Sequence, residues 1–193
     1  MQVEKAAKKN TIIINLFGGP GTGKSTYASL LYGHLKLLGV DCELVREYVK
    51  DLVWEKRTVE LKDQLSIIGK QIKRVNQCWG QVDIIVTDSP ILLSAYYNNQ
   101  EPKDEFERVC LERHNQYRSL NIFLVRKKEY NPNGRFQTED EAKLIDVELK
   151  AMLDKLGVEY RTVEALGGVT DAITNILYEE EVIPKPVLLK HMI

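Results

Sequence analysis

The 193 residues predict an α/β fold, a parallel sheet with helices on both faces. Two observations predict it. Five short apolar segments, at 11–17, 42–45, 83–87, 121–125 and 158–163, are separated by stretches of helical period. A glycine-rich run, Gly18-Gly19-Pro20-Gly21-Thr22-Gly23-Lys24-Ser25, directly follows the first of them. Strands that alternate with helices of this length pair in parallel, and the loops at their carboxyl ends are where a ligand can bind.

The first apolar segment, Ile12-Ile13-Ile14-Asn15-Leu16-Phe17, reads as a buried strand that stops at glycines and restarts as a helix. Such a turn aims several backbone N–H groups at one spot, which suits a triphosphate. ATP is therefore the expected nucleotide, held by Gly18, Gly19, Pro20, Gly21, Thr22, Gly23, Lys24, Ser25 and Thr26. Lys24 is expected to reach the β- and γ-phosphates and the Ser25 hydroxyl to take a position on Mg²⁺.

The helix that follows carries Leu30, Leu31, Leu35 and Leu38 and ends at Gly39. A second, over 61–79, places Leu61, Leu65, Ile68, Ile72, Val75 and Trp79 at steps of three and four and ends at Gly80. A third, over 139–156, repeats the pattern through Ala142, Ile145, Leu149 and Leu153 and stops at Gly157. Thr170 is a candidate cap for a last helix carrying Ile173, Ile176 and Leu177. Residues 89–120 are long for one crossover and contain a polar break, Glu101-Pro102-Lys103-Asp104. Prolines 184 and 186 argue against helix in the tail from about 182 to 193, whose apolar residues are expected to pack on the body or on a second subunit.

Composition narrows the function classes. The length is that of one domain, 1–193, with a substantial core. A formal charge of −1 argues against a dedicated nucleic-acid coat, though not against a local basic groove. Cys42, Cys78 and Cys110 are odd in number and unpaired in spacing, so a reducing, cytoplasmic setting is expected. The start, with Glu4, Lys5, Lys8 and Lys9, is unlike a signal peptide, and no run reaches membrane-spanning length. His34, His114 and His191 have no ligand-like spacing.

Chemistry is expected where strands end. Asp88 closes the third strand, where a carboxylate can hold the Mg²⁺ water shell opposite Ser25 or cap a helix beginning near Ser89-Pro90. Glu47 follows the second strand; either Glu47 or Asp88 can serve as the base for an acceptor hydroxyl, with a modest preference for Glu47. Arg46 can fix a substrate phosphate or pair with a neighbouring acid. Arg126, Lys127 and Lys128 open a cationic, glycine-containing loop that runs through Asn133-Gly134-Arg135, a candidate lid over about 126–137 or else a solvated basic loop. Arg126 and Arg135 are its candidate catalytic cations. Trp54, Arg57, Gln64 and Tyr96 are candidates to line the acceptor side, with Trp54 equally suited to packing.

On the run 18–25, Arg46-Glu47-Tyr48, the helix from Asp63-Gln64 to Lys70-Gln71, Thr87-Asp88-Ser89-Pro90 and Gly134-Arg135, the chain resembles small P-loop kinases of the nucleoside and nucleotide kinase group. Within that group it is most similar to the ribosylnicotinamide kinase domain of bacterial NAD-salvage regulators and its phage-encoded relatives, over about residues 11–165. The resemblance implies a P-loop NTPase fold, three-layered α/β/α, with five parallel strands in order 2-3-1-4-5 and an arginine-bearing lid. It implies Glu47 as the base, Asp88 as the acid after the third strand and Arg135 as a lid arginine. ATP, Mg²⁺ and a small nucleoside or nucleotide acceptor follow, with a hydroxymethylated pyrimidine in phage DNA as an alternative acceptor and host cytoplasm as the setting if phage-encoded. Within these 193 residues no nucleotidyltransferase or DNA-binding domain is expected, a departure from those regulators, and no arginine follows Asp88 as it does in typical deoxynucleoside kinases. A nucleotide-dependent switch or ATPase module with a protein or DNA partner is the competing class.

Overall fold

The computed structural model describes residues 9–57, 59–127 and 138–185. Its elements run β1 (Ile12–Phe17), α1 (Lys24–Leu37), β2 (Cys42–Val45), α2 (Val49–Trp54), a 3-10 turn (Glu60–Lys62), α3 (Gln64–Cys78), β3 (Ile84–Thr87), α4 (Leu92–Tyr97), α5 (Lys103–Asn115), β4 (Ser119–Val125), α6 (Glu139–Lys155), β5 (Arg161–Glu164) and α7 (Val169–Glu179). The strands form one parallel sheet in the order β2-β3-β1-β4-β5, the order expected from the resemblance.

Period-two alternation along β1 divides the core. Ile12, Ile14 and Leu16 face α1 and α7, where they meet Leu31, Leu35, Ile173 and Leu177. Phe17 faces the opposite side with Phe123, against Ile68 of α3, Leu92 of α4 and Leu149 and Leu153 of α6. All six residues of β1 are buried, as the central strand of a sheet covered on both faces should be. The one polar member, Asn15, donates to Asn121 on β4 at 2.9 Å, and Asn121 donates to the Glu159 carbonyl at 2.9 Å.

Several boundaries shift for physical reasons. The fifth strand starts at Arg161, not 158, because the Val158 N–H turns back to the Leu153 carbonyl at 3.0 Å and closes α6. The long helix expected from 61 begins at Gln64, where the Asp63 carboxylate accepts the Ser66 N–H at 3.0 Å as an N-cap. Gly168, not Thr170, precedes α7, which starts at Val169. The polar break at 101–104 does separate two helices, α4 and α5. Helix α6 opens with a capping box in which Thr138 and Glu141 satisfy each other's N–H groups. In the tail, Ile183 is buried against the α1 and α7 side of the core, while 186–193 lie outside the described residues.

Register sets the site. Val45 pairs with Thr87, and Asn15 pairs with both Thr87 and Asn121. Asn15, Val45 and Thr87 therefore lie level across the sheet, β1 runs on two residues to Phe17, and residues 18, 46 and 88 follow their strands at its carboxyl edge.

Candidate active site

The loop from Gly18 to Gly23 is held open by its own hydrogen bonds. Gly23 precedes α1 at φ 91°, a left-handed conformation that suits glycine and turns the chain into the helix. Thr22 is buried, and its hydroxyl donates to the Gly19 carbonyl at 3.0 Å. The Lys24 ammonium straps the loop from within, donating to the Gly18 carbonyl at 2.7 Å and the Gly19 carbonyl at 3.1 Å. Those two bonds use two of its three donors. Burial pushes the Lys24 ammonium below its usual range, against the opposing pull of Glu47, Asp88 and Asp146. Pro20 and Gly21 complete the bend, and Ser25 and Thr26 stand in the first turn of α1.

Asp88 is 4% exposed, directly after β3. It does not cap α4, whose N-cap is Ile91; its Oδ1 accepts the backbone N–H of Glu47 at 3.0 Å. The Glu47 side chain is half-buried. Burial pushes its carboxyl above the usual carboxylate range, Lys24 pulls it down, and Asp88 raises it further. The structure thus gathers Lys24, Glu47 and Asp88 within mutual electrostatic reach at the mouth of the loop.

Helix α3 grips the Glu47 segment from below. Gln71 is 2% exposed, and its Oε1 accepts the Tyr48 N–H at 3.2 Å. Arg74 donates to the Arg46 carbonyl at 3.1 Å, bonds Asp51 and lies over the Tyr48 ring at 5.2 Å. Three consecutive residues, 46 to 48, are therefore fixed by Arg74, Asp88 and Gln71. The buried Nε2 of Gln71 has no partner among the described residues.

The remaining candidates are more dispersed. Arg46 has an exposed side chain. Trp54 is 78% exposed at the end of α2, so it is not a core residue. Arg57 is paired with Glu55 at 2.9 Å and Glu60 at 3.0 Å. Gln64 is buried at the start of α3 and donates to the Leu61 carbonyl at 3.4 Å. The Tyr96 hydroxyl donates to Glu148 on α6 at 2.5 Å. Its neighbour Tyr97 is electrostatically coupled to Glu47 and Asp146, and burial together with those two acids pushes its phenol up to about 12. Arg126 is pinned beside the loop, donating from Nε to Asp146 at 2.8 Å and from Nη2 to the Pro20 carbonyl at 2.8 Å. Lys127 is paired with Glu164 at 2.9 Å. Lys128 and Arg135, and with them most of the candidate lid, lie outside the described residues.

Sequence reasoning missed Gln71, Arg74, Tyr97 and Asp146 as members of the site. Asp146 had a visible signal: it sits four residues after Ala142 and three before Leu149, on the stripe that α6 buries.

Among the described residues no cluster of three or more His, Cys, Asp or Glu could hold a metal. Ser25 and Asp88 offer only hard oxygen donors, a set that fits a Mg²⁺ ion arriving with nucleotide phosphates and keeping several waters. No described helix is long and apolar enough to cross a membrane.

A family model described as an AAA domain matches residues 13–170, from β1 into the first turn of α7. The chain belongs to that family. Among solved structures, a NadR protein in complex with NR superposes with a TM-score of 0.64 at 14% identity, covering 93% of this chain and 54% of that one. A NadR protein in complex with NAD and AMP-PNP gives 0.62 at 16% identity, covering 93% and 52%. Thymidylate kinase from Ehrlichia chaffeensis gives 0.59 at 16% identity, covering 87% and 98%. These likenesses are of fold, and the chain spans about half the length of the NadR structures. No curated protein sequence matches it.

Proposed function

We propose that the protein is an ATP- and Mg²⁺-dependent kinase that transfers the γ-phosphoryl group to a hydroxyl of a nucleoside- or nucleotide-like acceptor. The observation that carries this reading is the half-buried Glu47 carboxylate, fixed by Asp88 through its own backbone N–H and electrostatically coupled to Lys24 of the phosphate loop. A base at that position can take the proton of an acceptor hydroxyl or of an attacking water, and the likeness to a thymidylate kinase and to a NadR protein bound to NR favours the hydroxyl.

The roles follow from position. The loop 18–25 and Thr26 cradle the phosphates, and Lys24 stabilises charge on the transferring group. Ser25 and Asp88 would hold Mg²⁺, which when bound neutralises charge on the phosphate oxygens. Glu47 takes the acceptor proton as the acceptor oxygen bonds to the γ-phosphorus and the bond to the ADP oxygen breaks. Arg135 is assigned to the same transition-state charge. Tyr97, which feels the charge of Glu47, is assigned to the acceptor side, with Gln64, Trp54, Arg57, Tyr96 and Arg46 as further candidates. Two fold neighbours, a thymidylate kinase and a NadR protein in complex with NR, support an acceptor of nucleoside class.

Membership of the AAA domain family favours a second reading, a nucleotide-driven switch with a protein or DNA partner. One assay separates them: γ-labelled ATP offered with ribosylnicotinamide, the common nucleosides, their monophosphates and hydroxymethylated duplex DNA. A kinase labels one class; a switch labels none and shows ATP hydrolysis stimulated by a macromolecule.

A further inference from the structure

Asp146 is a carboxylate on the inward stripe of α6, between the fully buried Ala142 and Leu149. A charge at such a position is costly unless partners compensate it. Two do. Its Oδ1 accepts the Gly19 N–H at 2.6 Å, and its Oδ2 accepts from Arg126 Nε at 2.8 Å. The ion pair leaves only 9% of the Arg126 side chain and 16% of the Asp146 side chain exposed. Arg126 Nη2 reaches on to the Pro20 carbonyl at 2.8 Å. Helix and loop are in direct contact: a Cβ at position 19 would stand 2.6 Å from Asp146 Oδ1 and 2.9 Å from the Ala142 carbonyl.

Gly19 is consequently held from two sides. Lys24 and Thr22 take its carbonyl from inside the loop, and Asp146 takes its N–H from outside. A glycine-rich loop loses more backbone freedom on ordering than any other segment of its length. Where that ordering is completed before the ligand arrives, binding does not have to supply it.

We propose that Asp146 is a positioning residue for the phosphate loop. Acting with Arg126, it fixes the peptide units of Gly19 and Pro20 so that the N–H groups of the residues after them already converge on the phosphate position. The inference rests on the phosphate-binding reading given under Proposed function. It makes Arg126 a member of the same clamp, acting on the nucleotide through the loop.

The test uses the full chain with two variants, Asp146→Asn and the double variant Asp146→Leu/Arg126→Met. Two probes are titrated by calorimetry, the β,γ-imido analogue of ATP and inorganic tripolyphosphate, and the melting temperature is taken without nucleotide. In Asp146→Asn a single neutral amide oxygen replaces the carboxylate that serves both Gly19 and Arg126. Both probes should bind about tenfold more weakly, the weight of one charge-assisted hydrogen bond. The double variant removes both charges together, so its melting temperature should return toward wild type. Its affinity for both probes should stay low, because leucine offers the Gly19 N–H no acceptor. With an acceptor present, the ATP KM should rise in both variants by more than kcat falls. Wild-type affinity in Asp146→Asn, or recovery of affinity with melting temperature in the double variant, would overturn the positioning role and leave the phosphate loop standing. Failure of the wild-type chain to bind either probe would overturn the phosphate-binding reading beneath it.

Discussion

The backbone N–H of Glu47 donates to the Asp88 carboxylate at 3.0 Å, so the residue after β3 fixes the segment after β2 at the phosphate loop. This bond is possible because Val45 and Thr87 are paired in register, and it divides the work of the two acids. Asp88 is buried and already accepts one N–H, whereas the Glu47 side chain keeps contact with solvent and with the field of Lys24. Glu47→Gln should keep ATP binding and lower the single-turnover rate by about 10²-fold at saturating Mg²⁺. Asp88→Asn should raise the Mg²⁺ midpoint. Paired Mg²⁺ titrations of both variants check this, and the opposite assignment of effects reverses the roles.

Protonation of Glu47 should shape the pH profile. Burial holds its carboxyl above the ordinary value of about 4.3. Activity should therefore fall on the acid side at a pH above the usual carboxylate range, and Glu47→Gln should remove that limb. Stability carries the matching sign. A raised folded-state pKa means the folded protein holds the proton more tightly, so this stabilisation is complete below the unfolded pKa and is lost as pH rises through the folded one. Melting temperatures of nucleotide-free wild type, relative to Glu47→Gln, should decline across that window.

Lys24 closes the loop by bonding the Gly18 and Gly19 carbonyls. Lys24→Ala removes both that strap and a transition-state charge. Turnover should drop by about 10²-fold or more, with weaker ATP binding. Steady-state kinetics and analogue binding measure the two effects, and normal turnover would take the loop out of the chemistry.

Gln71 supports Glu47 at one remove, through the Tyr48 N–H. Gln71→Ala should lower the single-turnover rate about tenfold, as expected from one lost buried hydrogen bond, while leaving the affinity for the ATP analogue within about twofold. An equal loss in both would mean that α3 supports the nucleotide site and not the base.

Much of the fold was legible because its signals are local. Short apolar runs, three-and-four spacing in α3 and α6, and glycines after α1, α3 and α6 all act within a few residues. The positions of the glycine-rich loop, Glu47 and Asp88 at strand ends were legible for the same reason, the loop and Asp88 directly after a strand and Glu47 two residues after one. The supports of the site were not. Asp146 meets Gly19 across 127 positions, and Gln71 meets Tyr48 across 23, so neither contact leaves a mark in the sequence beyond a polar residue on a buried helical face. Tyr96 and Tyr97 are adjacent in sequence, and only the direction of α4 decides that Tyr96 bonds Glu148 while Tyr97 is coupled to Glu47.

The γ-phosphorus is expected to leave ATP for the acceptor hydroxyl. The direct measurement is a single turnover of γ-labelled ATP by wild type, with the acceptor class found by screening and again without it, following label in the phosphate ester and in inorganic phosphate. Nearly all label should enter the acceptor ester, hydrolysis without acceptor should be slow, and Glu47→Gln should slow ester formation about 10²-fold. Release of the label as inorganic phosphate at the same rate with and without every acceptor, unaffected by Glu47→Gln, would rule out transfer to a hydroxyl with Glu47 as base.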